Sequence, residues 1–316
     1  MHTLFSLQLI DFGVYVNKIR GIETFQDLHN SKALSFSVFS DNQGSSPTSN
    51  MLMARANMHM RKTNDKFILG VGDHLNRAGN NEFLYFTCND PFWRSNFYPT
   101  IADGENSLYG SSQSEWGAGR AFFDALNLNQ RENVTFSKEG TDYYAIMKDP
   151  SGFNVHFISL YYPDEPAQPE LAFRQTSKNF LFSVLMGINK KPNDIIVLAA
   201  HSRYGFFTEY LNPELRRLVN IKCDLIVSGS THYYERQKTA DMSKGPLIIN
   251  TGSVTNPRFG SQPGFLQVCV LPYHQGIHIQ YINLDQNTFE MKSSPYAYFK
   301  SFDGKVFDLI YDNQAI

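Results

Sequence analysis

Five residues of the kinds that ligate metal ions fall at the ends of apolar, strand-like runs: Asp41, Asp73, Glu105, His201 and His232. Asp41 closes Ala33–Asp41 (ALSFSVFSD), Asp73 closes Phe67–Asp73 (FILGVGD), and His201 closes Asp194–His201 (DIIVLAAH). His232 follows the polar turn out of Cys223–Thr231 (CDLIVSGST), and Glu105 stands just beyond Tyr98–Ala102. A single Asp at a strand end is ordinarily a turn former or a helix cap. A single His there is ordinarily a hydrogen-bonded structural residue. Acids and imidazoles repeated at successive strand ends form a different pattern, because carboxylate oxygen and ring nitrogen together make the donor set of a divalent cation. Such a set supports the chemistry of a bound divalent cation.

The elements that must position these side chains are short β-like runs alternating with helix-like stretches. Helical spacing is expected over Ser49–Lys62, Glu115–Leu128, Leu171–Lys190 and Pro213–Ile221. Asp142–Met147 and Phe153–Tyr161 read as a hairpin joined by the Asp-Pro-Ser-Gly turn at 149–152. Further strands are expected over Pro246–Thr251, Gly264–Leu271 and Ile277–Leu284, whereas the chain beyond Asp285 shows no clear periodicity. Continuous apolar strands alternating with helices predict an α/β fold with its sheet covered on both faces. In such folds ligands collect at the carboxyl ends of the strands. That is where the five candidate residues stand.

Composition narrows the class. At 316 residues, 42% hydrophobic and 14% aromatic, the chain has enough apolar material for a large core, and its 18% charged content is low for a soluble chain. No repeat or low-complexity linker divides it, so a single domain over 1–316 is expected, with a core of about 33–285, an N-terminal extension and a C-terminal tail. With 28 basic and 30 acidic residues the net charge is −2, which provides no global field for nucleic acid. Cys88, Cys223 and Cys269 are scattered and form no CxxC pair, so buried thiols are expected in place of disulfides or a zinc knuckle. The apolar start is short, lacks a basic flank and is interrupted by Asp11, and no run reaches 18 apolar residues. A cytoplasmic protein without a membrane span is the expectation.

The order of the motifs resembles the calcineurin-like metallophosphoesterases over roughly residues 33–285. The matching blocks are Asp41-Asn42-Gln43, Gly72-Asp73, Gly104-Glu105-Asn106, His201 and Gly229-Ser230-Thr231-His232. Gly229–Arg236 (GSTHYYER) and the following Gly245–Gly252 are similar to the purple acid phosphatase-like branch. The resemblance implies a four-layer α/β/β/α sandwich of two mixed sheets. It also implies a metal-dependent phosphomonoesterase or phosphodiesterase that presents a metal-bound hydroxide to phosphorus.

By that resemblance Asp73 bridges the ions; Asp41, Gln43 and His232 hold one, and Glu105, Ser230 and His201 the other. The departures are specific. Gln43 stands where a His ligand is usual, Glu105 where an Asn is usual, Asn106 where the catalytic His belongs, and Ser230 where the first His of the last motif belongs. Asn76 occupies the position of the tyrosine ligand of the purple enzymes, so their colour is not expected. More oxygen and less nitrogen favours hard cations. Mn²⁺ is expected first, with Fe, Mg²⁺ and Zn²⁺ as further options, one or two ions in all.

Asn106 donates a hydrogen bond but no proton near neutral pH. His74 is therefore the first candidate for the leaving-group acid, and esters with good leaving groups are the alternative. Arg203 is a candidate for a phosphate oxygen, and Arg236 for a structural ion pair. A phosphorylated small molecule or protein is the implied substrate. The same departures also fit a catalytically silent chain that keeps the fold to bind a partner.

Overall fold

Alternate residues of one apolar run, Asp194–Ala200, show how the molecule is layered. Ile195, Val197 and Ala199 belong to the main core, whereas Ile196, Leu198 and Ala200 belong to a second apolar cluster. Successive side chains of a strand point to opposite faces. A run that is apolar at every position is therefore buried on both.

The computed structural model describes residues 34–43, 46–74, 90–102, 105, 122–150, 152–162, 174–202, 208–236, 245–271, 276–304 and 306–310. Its first strands are β1 (Leu34–Phe39), β2 (Phe67–Val71), β3 (Phe97–Thr100), β4 (Val134–Phe136), β5 (Tyr143–Lys148) and β6 (Asn154–Leu160). They are followed by β7 (Asp194–Ala200), β8 (Leu225–Ser228), β9 (Tyr234–Arg236) and β10 (Leu247–Thr251). The last are β11 (Gly264–Leu271), β12 (Gly276–Leu284), β13 (Met291–Ser301) and β14 (Val306–Ile310). The helices are α1 (Pro47–Lys62), α2 (Pro91–Asn96), α3 (Gln175–Gly187) and α4 (Pro213–Lys222).

Two seven-stranded sheets result, with orders β14-β13-β12-β11-β1-β2-β3 and β4-β5-β6-β7-β8-β10-β9. Both are mixed. β1, β2 and β3 run parallel in the first sheet, as do β6, β7, β8 and β10 in the second, while the remaining pairs are antiparallel. α1 buries Leu52, Met53, Ala56 and Met60 in the main core. α3 and α4 cover β6, β7 and β8 through Leu181, Leu185, Leu215, Leu218 and Val219. This is the α/β/β/α sandwich of two mixed sheets that the motifs implied.

Helix starts follow their sequences. Ser46 caps α1 by accepting from the Ser49 N–H at 3.1 Å, and Asn212 caps α4 by accepting from the Leu215 N–H at 2.8 Å, each followed by Pro at the first helical position. Proline there gives up only an N–H that the helix leaves unpaired anyway.

One expectation is corrected. The chain beyond Asp285 is no aperiodic tail: it forms β13 and β14, which pair in register onto β12. Its pattern is obscured at Pro295, which has no N–H to give to a ladder, and the β12–β13 register shifts between Gln280 and Ile282, opposite it. The strands after Cys223 are divided between the two sheets. β8 to β10 complete the second sheet, and from β11 the chain returns to the first. The first half of the helix expected over Glu115–Leu128 lies outside the described residues, and of the second half 122–125 are helical. Cys223 and Cys269 are buried free thiols, as expected; Cys88 lies outside. No helix among the described residues is long and apolar enough to cross a membrane.

Candidate metal centre

The parallel strands β1, β2, β7 and β8 end at one rim, and the two sheets meet there through a parallel bridge between Ser40 and Ser253. Asp41 follows β1, Asp73 follows β2, His201 follows β7, and Ser230 and His232 follow β8. Gly72 and Gly229 allow the close approach. A Cβ on Gly72 (φ +75) would lie 2.7 Å from the His201 Cβ, and one on Gly229 would lie 2.7 Å from His201 Nδ1 and 2.8 Å from the Val71 carbonyl oxygen. Only a residue without a side chain lets the strand ends come this near.

Asp41, Asp73 and His201 each offer a ligand atom within 4.8 Å of the others'. His201 Nε2 stands 3.6 Å from Asp41 Oδ1 and 3.7 Å from Asp73 Oδ2, and His232 Nε2 stands 3.5 Å from Asp41 Oδ1. Both rings are oriented from behind. His201 Nδ1 lies 2.6 Å from the Val71 carbonyl oxygen and His232 Nδ1 lies 2.7 Å from that of Asn256. With Nδ1–H donating to the main chain, Nε2 carries the lone pair and faces the carboxylates. This is how metal-binding imidazoles are held.

The acids are held with equal care. The Ser230 N–H donates to both Asp41 oxygens at 3.1 Å, and the Ser40 hydroxyl donates to Asp41 Oδ2. Ser40 is itself tied to Thr251, whose hydroxyl lies 2.8 Å away, and Ser253 donates to the Asp41 carbonyl oxygen at 2.8 Å. Burial pushes the Asp41 carboxyl above the ordinary range, against the pull of His201 and His232. A buried acid so disposed favours a cation as its neighbour.

Backbone geometry marks the same residues. Asp41 (φ +55), Asp73 (φ +52), Ser230 (φ +76) and His232 (φ +62) all lie in the left-handed region. Asp tolerates that region because its short side chain bonds locally. His and Ser are held there by the surrounding structure, and such clusters collect at functional sites.

The other expected site residues are placed as follows. The Gln43 amide nitrogen donates to Asp73 Oδ2. Glu105 is buried and accepts from three main-chain N–H groups, those of Asp73 at 3.1 Å, His74 at 2.5 Å and Ala102 at 2.8 Å. Burial and then the nearby Asp73 push its carboxyl up to about 8. Glu105 therefore braces the main chain that carries Asp73. The His74 ring is buried edge-on to Phe39 and Phe97, and burial, then His201, hold it down to about 3. Ser230 acts on Asp41 through its main chain. Asn106, Arg203 and Asn76 lie outside the described residues. Arg236 forms an ion pair with Asp308 at 2.6 Å, tying β9 to β14.

Ser40, Thr251, Ser253 and Asn256 were not singled out in the sequence. The only local signal was the small polar stretch Asn250–Asn256 after an apolar strand.

No family model matches the chain, and no curated protein matches it by sequence. Among solved structures it is similar to a dimetal phosphatase from Danio rerio, with 9% identity over 89% of this chain and 100% of that one and a TM-score of 0.54. GAP50 of Plasmodium, described as the anchor in the inner membrane complex, aligns at 14% identity over 88% of this chain and 89% of that one, TM-score 0.47. A 5'-nucleotidase from Staphylococcus aureus aligns at 12% identity over 89% of this chain and 55% of that one, TM-score 0.42. The fold of this chain is that of the calcineurin-like metallophosphoesterases. These neighbours do not single out the purple acid phosphatase branch.

Proposed function

We propose that the chain is a metal-dependent hydrolase of phosphate esters, acting on monoesters or diesters. One observation carries the reading: two imidazoles from different strand ends, each pinned at Nδ1 by a carbonyl, turn Nε2 toward Asp41 or Asp73. Both Nε2 atoms stand 3.5–3.6 Å from Asp41, an acid that burial makes costly to ionise without a neighbouring cation.

Asp41, Asp73, His201 and His232 are the residues that would hold the cation. Gln43 adds its amide oxygen once the amide turns over, and the charge-rich oxygen set favours Mn²⁺. Glu105 and Ser230 are given supporting places, Glu105 bracing Asp73 and Ser230 orienting Asp41. When bound, one or two divalent ions supply Lewis acidity toward the phosphoryl oxygens and lower the pKa of water. Asn106 and Arg203 are assigned to the phosphoryl group on the motif pattern. His74 is neutral at pH 7 and enclosed by aromatic rings, so it is not given the role of acid. Esters whose leaving group departs without a proton are the better substrates.

The test is a chromogenic phosphomonoester and diester with Mn²⁺. Turnover should be removed by a chelator and lost in Asp73→Asn, a change that keeps a side chain compatible with positive φ. A protein that takes up no Mn²⁺ at millimolar concentration sinks the proposal. That result would instead favour a silent binding protein, a reading supported by the engagement of the Glu105 carboxylate with three main-chain donors.

A further inference from the structure

Directly after His232 the chain builds an aromatic hollow. Tyr233, Tyr234, Phe259 and Ser261 line a cavity of about 440 Å³, within the size range of small-molecule sites. Tyr233 and Phe259 meet edge to face, with centroids 5.9 Å apart and planes at 85°. Tyr234 is stacked on Tyr281 at 4.4 Å and 13°, so its ring is fixed from behind.

Phe259 is unusual on two counts. It is 82% exposed, more than any other large apolar side chain among the described residues. Its φ is +56, a conformation in which a bulky residue is an outlier. Neither property helps the fold.

The hollow and the metal centre share their scaffold. The Asn256 carbonyl that orients His232 and the exposed Phe259 belong to the same short loop, and the Ser261 hydroxyl lies 3.4 Å from the His232 carbonyl oxygen. The loop closes on itself: the Ser261 N–H and hydroxyl donate to the Arg258 carbonyl oxygen at 3.0 and 2.7 Å.

We propose that Tyr233 and Phe259 form the subsite for the organic group of the ester, and that this group is a flat aromatic ring. The inference rests on the phosphate-ester reading of the metal centre. A π-face is what an exposed ring set edge-on against a second ring recognises, and it does so without hydrogen bonds that would demand one particular group. The chemistry agrees. Hydrolysis forms a P–O bond from water and breaks the P–O bond to the organic group. An aryl oxygen leaves with the bonding electrons and needs no proton at that moment, whereas an alkoxide does. Two sources offer such a ring: an aryl ester, whose oxygen leaves in this way, and a nucleoside ester, whose ring fits the hollow but whose 5' oxygen leaves as an alkoxide and takes up a proton from water.

The test compares kcat/KM for phenyl phosphate, adenosine 5'-monophosphate and butyl phosphate in the Mn²⁺-loaded wild type, Phe259→Leu and Tyr233→Leu. Leucine keeps apolar bulk and removes the ring. The expected result is a loss of roughly tenfold for one or both aromatic esters in each variant, with butyl phosphate changed by less than about twofold. A loss confined to phenyl phosphate assigns the aryl ester, and one confined to the nucleotide assigns the nucleoside. Equal effects on all three esters, or none, overturn the proposal.

Saturation-transfer NMR of adenosine and 4-nitrophenol in chelator separates this inference from its parent. Ring binding that Phe259→Leu abolishes, in a protein that hydrolyses nothing, supports the subsite and sinks the hydrolase. Hydrolysis without ring selectivity does the reverse.

Discussion

At the scale of the residue, the metal centre depends on what stands behind its ligands. Gly229 shows this most clearly, because the obstacles around its missing Cβ include a ring nitrogen and a main-chain oxygen that cannot swing aside. Gly229→Ala should displace the His201 ring and lower Mn²⁺ affinity by about tenfold or more, as loss of second-layer support does elsewhere. Calorimetric titration checks this, with circular dichroism to confirm an unchanged fold; wild-type affinity would refute the role given to this glycine. Phe259→Gly belongs to the same scale. Its side chain is exposed and its backbone suits glycine, so the variant should be as stable as wild type or up to about 1 kcal/mol more stable. Urea unfolding that shows a clear loss would mean the ring packs more than its exposure implies.

A third residue tests proton linkage outside the proposed ligand set. Asp142 is buried, accepts from the Tyr161 N–H at 2.9 Å and from the Ser177 hydroxyl at 3.0 Å, and burial raises its carboxyl to about 6. A raised acid pKa means the folded chain holds a proton that the unfolded chain releases, so stability falls as pH rises from about 4 to about 6. The cost is fully present above that window, on the order of 3 kcal/mol. Asp142→Asn cannot ionise, so the stability of the wild type relative to this variant should drop by about that amount between pH 4 and pH 7. Parallel pH profiles would show that Asp142 does not carry the linkage.

At the scale of the element, the sequence was most readable where one physical signal dominated. Apolar runs such as FILGV and GFLQVCVL gave strands almost at their observed bounds, and helical spacing gave α1 and α4 close to theirs. The metal-ligand candidates were legible because each closes or follows such a run. The bracing residues were not. Ser40 and Ser253 are ordinary small polar residues whose partners lie across the sandwich, Asn256 acts through its main chain on a neighbouring strand end, and spacing along the chain carries no trace of either. β13 was missed for a different reason, since Pro295 breaks the alternation that marks a strand. His74 shows the limit of reading a residue by its neighbour in sequence: it adjoins Asp73, yet its ring belongs to the aromatic core. The cap of α4 is a direct test of local reading. Asn212→Ala should cost about 1 kcal/mol in urea unfolding, with an unchanged denaturant slope. No measurable loss would mean that solvent serves the helix end equally well.

At the scale of the whole molecule, the centre draws on both sheets. Asp41 and Asp73 come from the first and His201 and His232 from the second, so an ion held among them joins the two. Away from this rim the sheets are also fastened by Lys300 of β13, which donates to the carbonyl oxygens of Asp224 at 3.2 Å and Gly245 at 3.1 Å. Mn²⁺ at a hundredfold excess over its Kd should therefore stabilise the entire fold by about 2.7 kcal/mol, in a single transition. Thermal unfolding with Mn²⁺ and with chelator checks this. A midpoint that Mn²⁺ leaves unmoved would count against a cation site, and separate transitions would show that the sheets unfold independently.

The return of the chain from β10 to β11 also has a consequence for biosynthesis. β1 leaves the ribosome well ahead of its antiparallel neighbour β11, with β2 to β10 made in between. At about 5–20 residues per second, one edge of a nascent three-stranded unit stays bare for roughly tens of seconds. Open edges of this kind recruit other chains. Products cut short before Gly264 should therefore precipitate or remain bound to chaperones, whatever the state of their metal ligands.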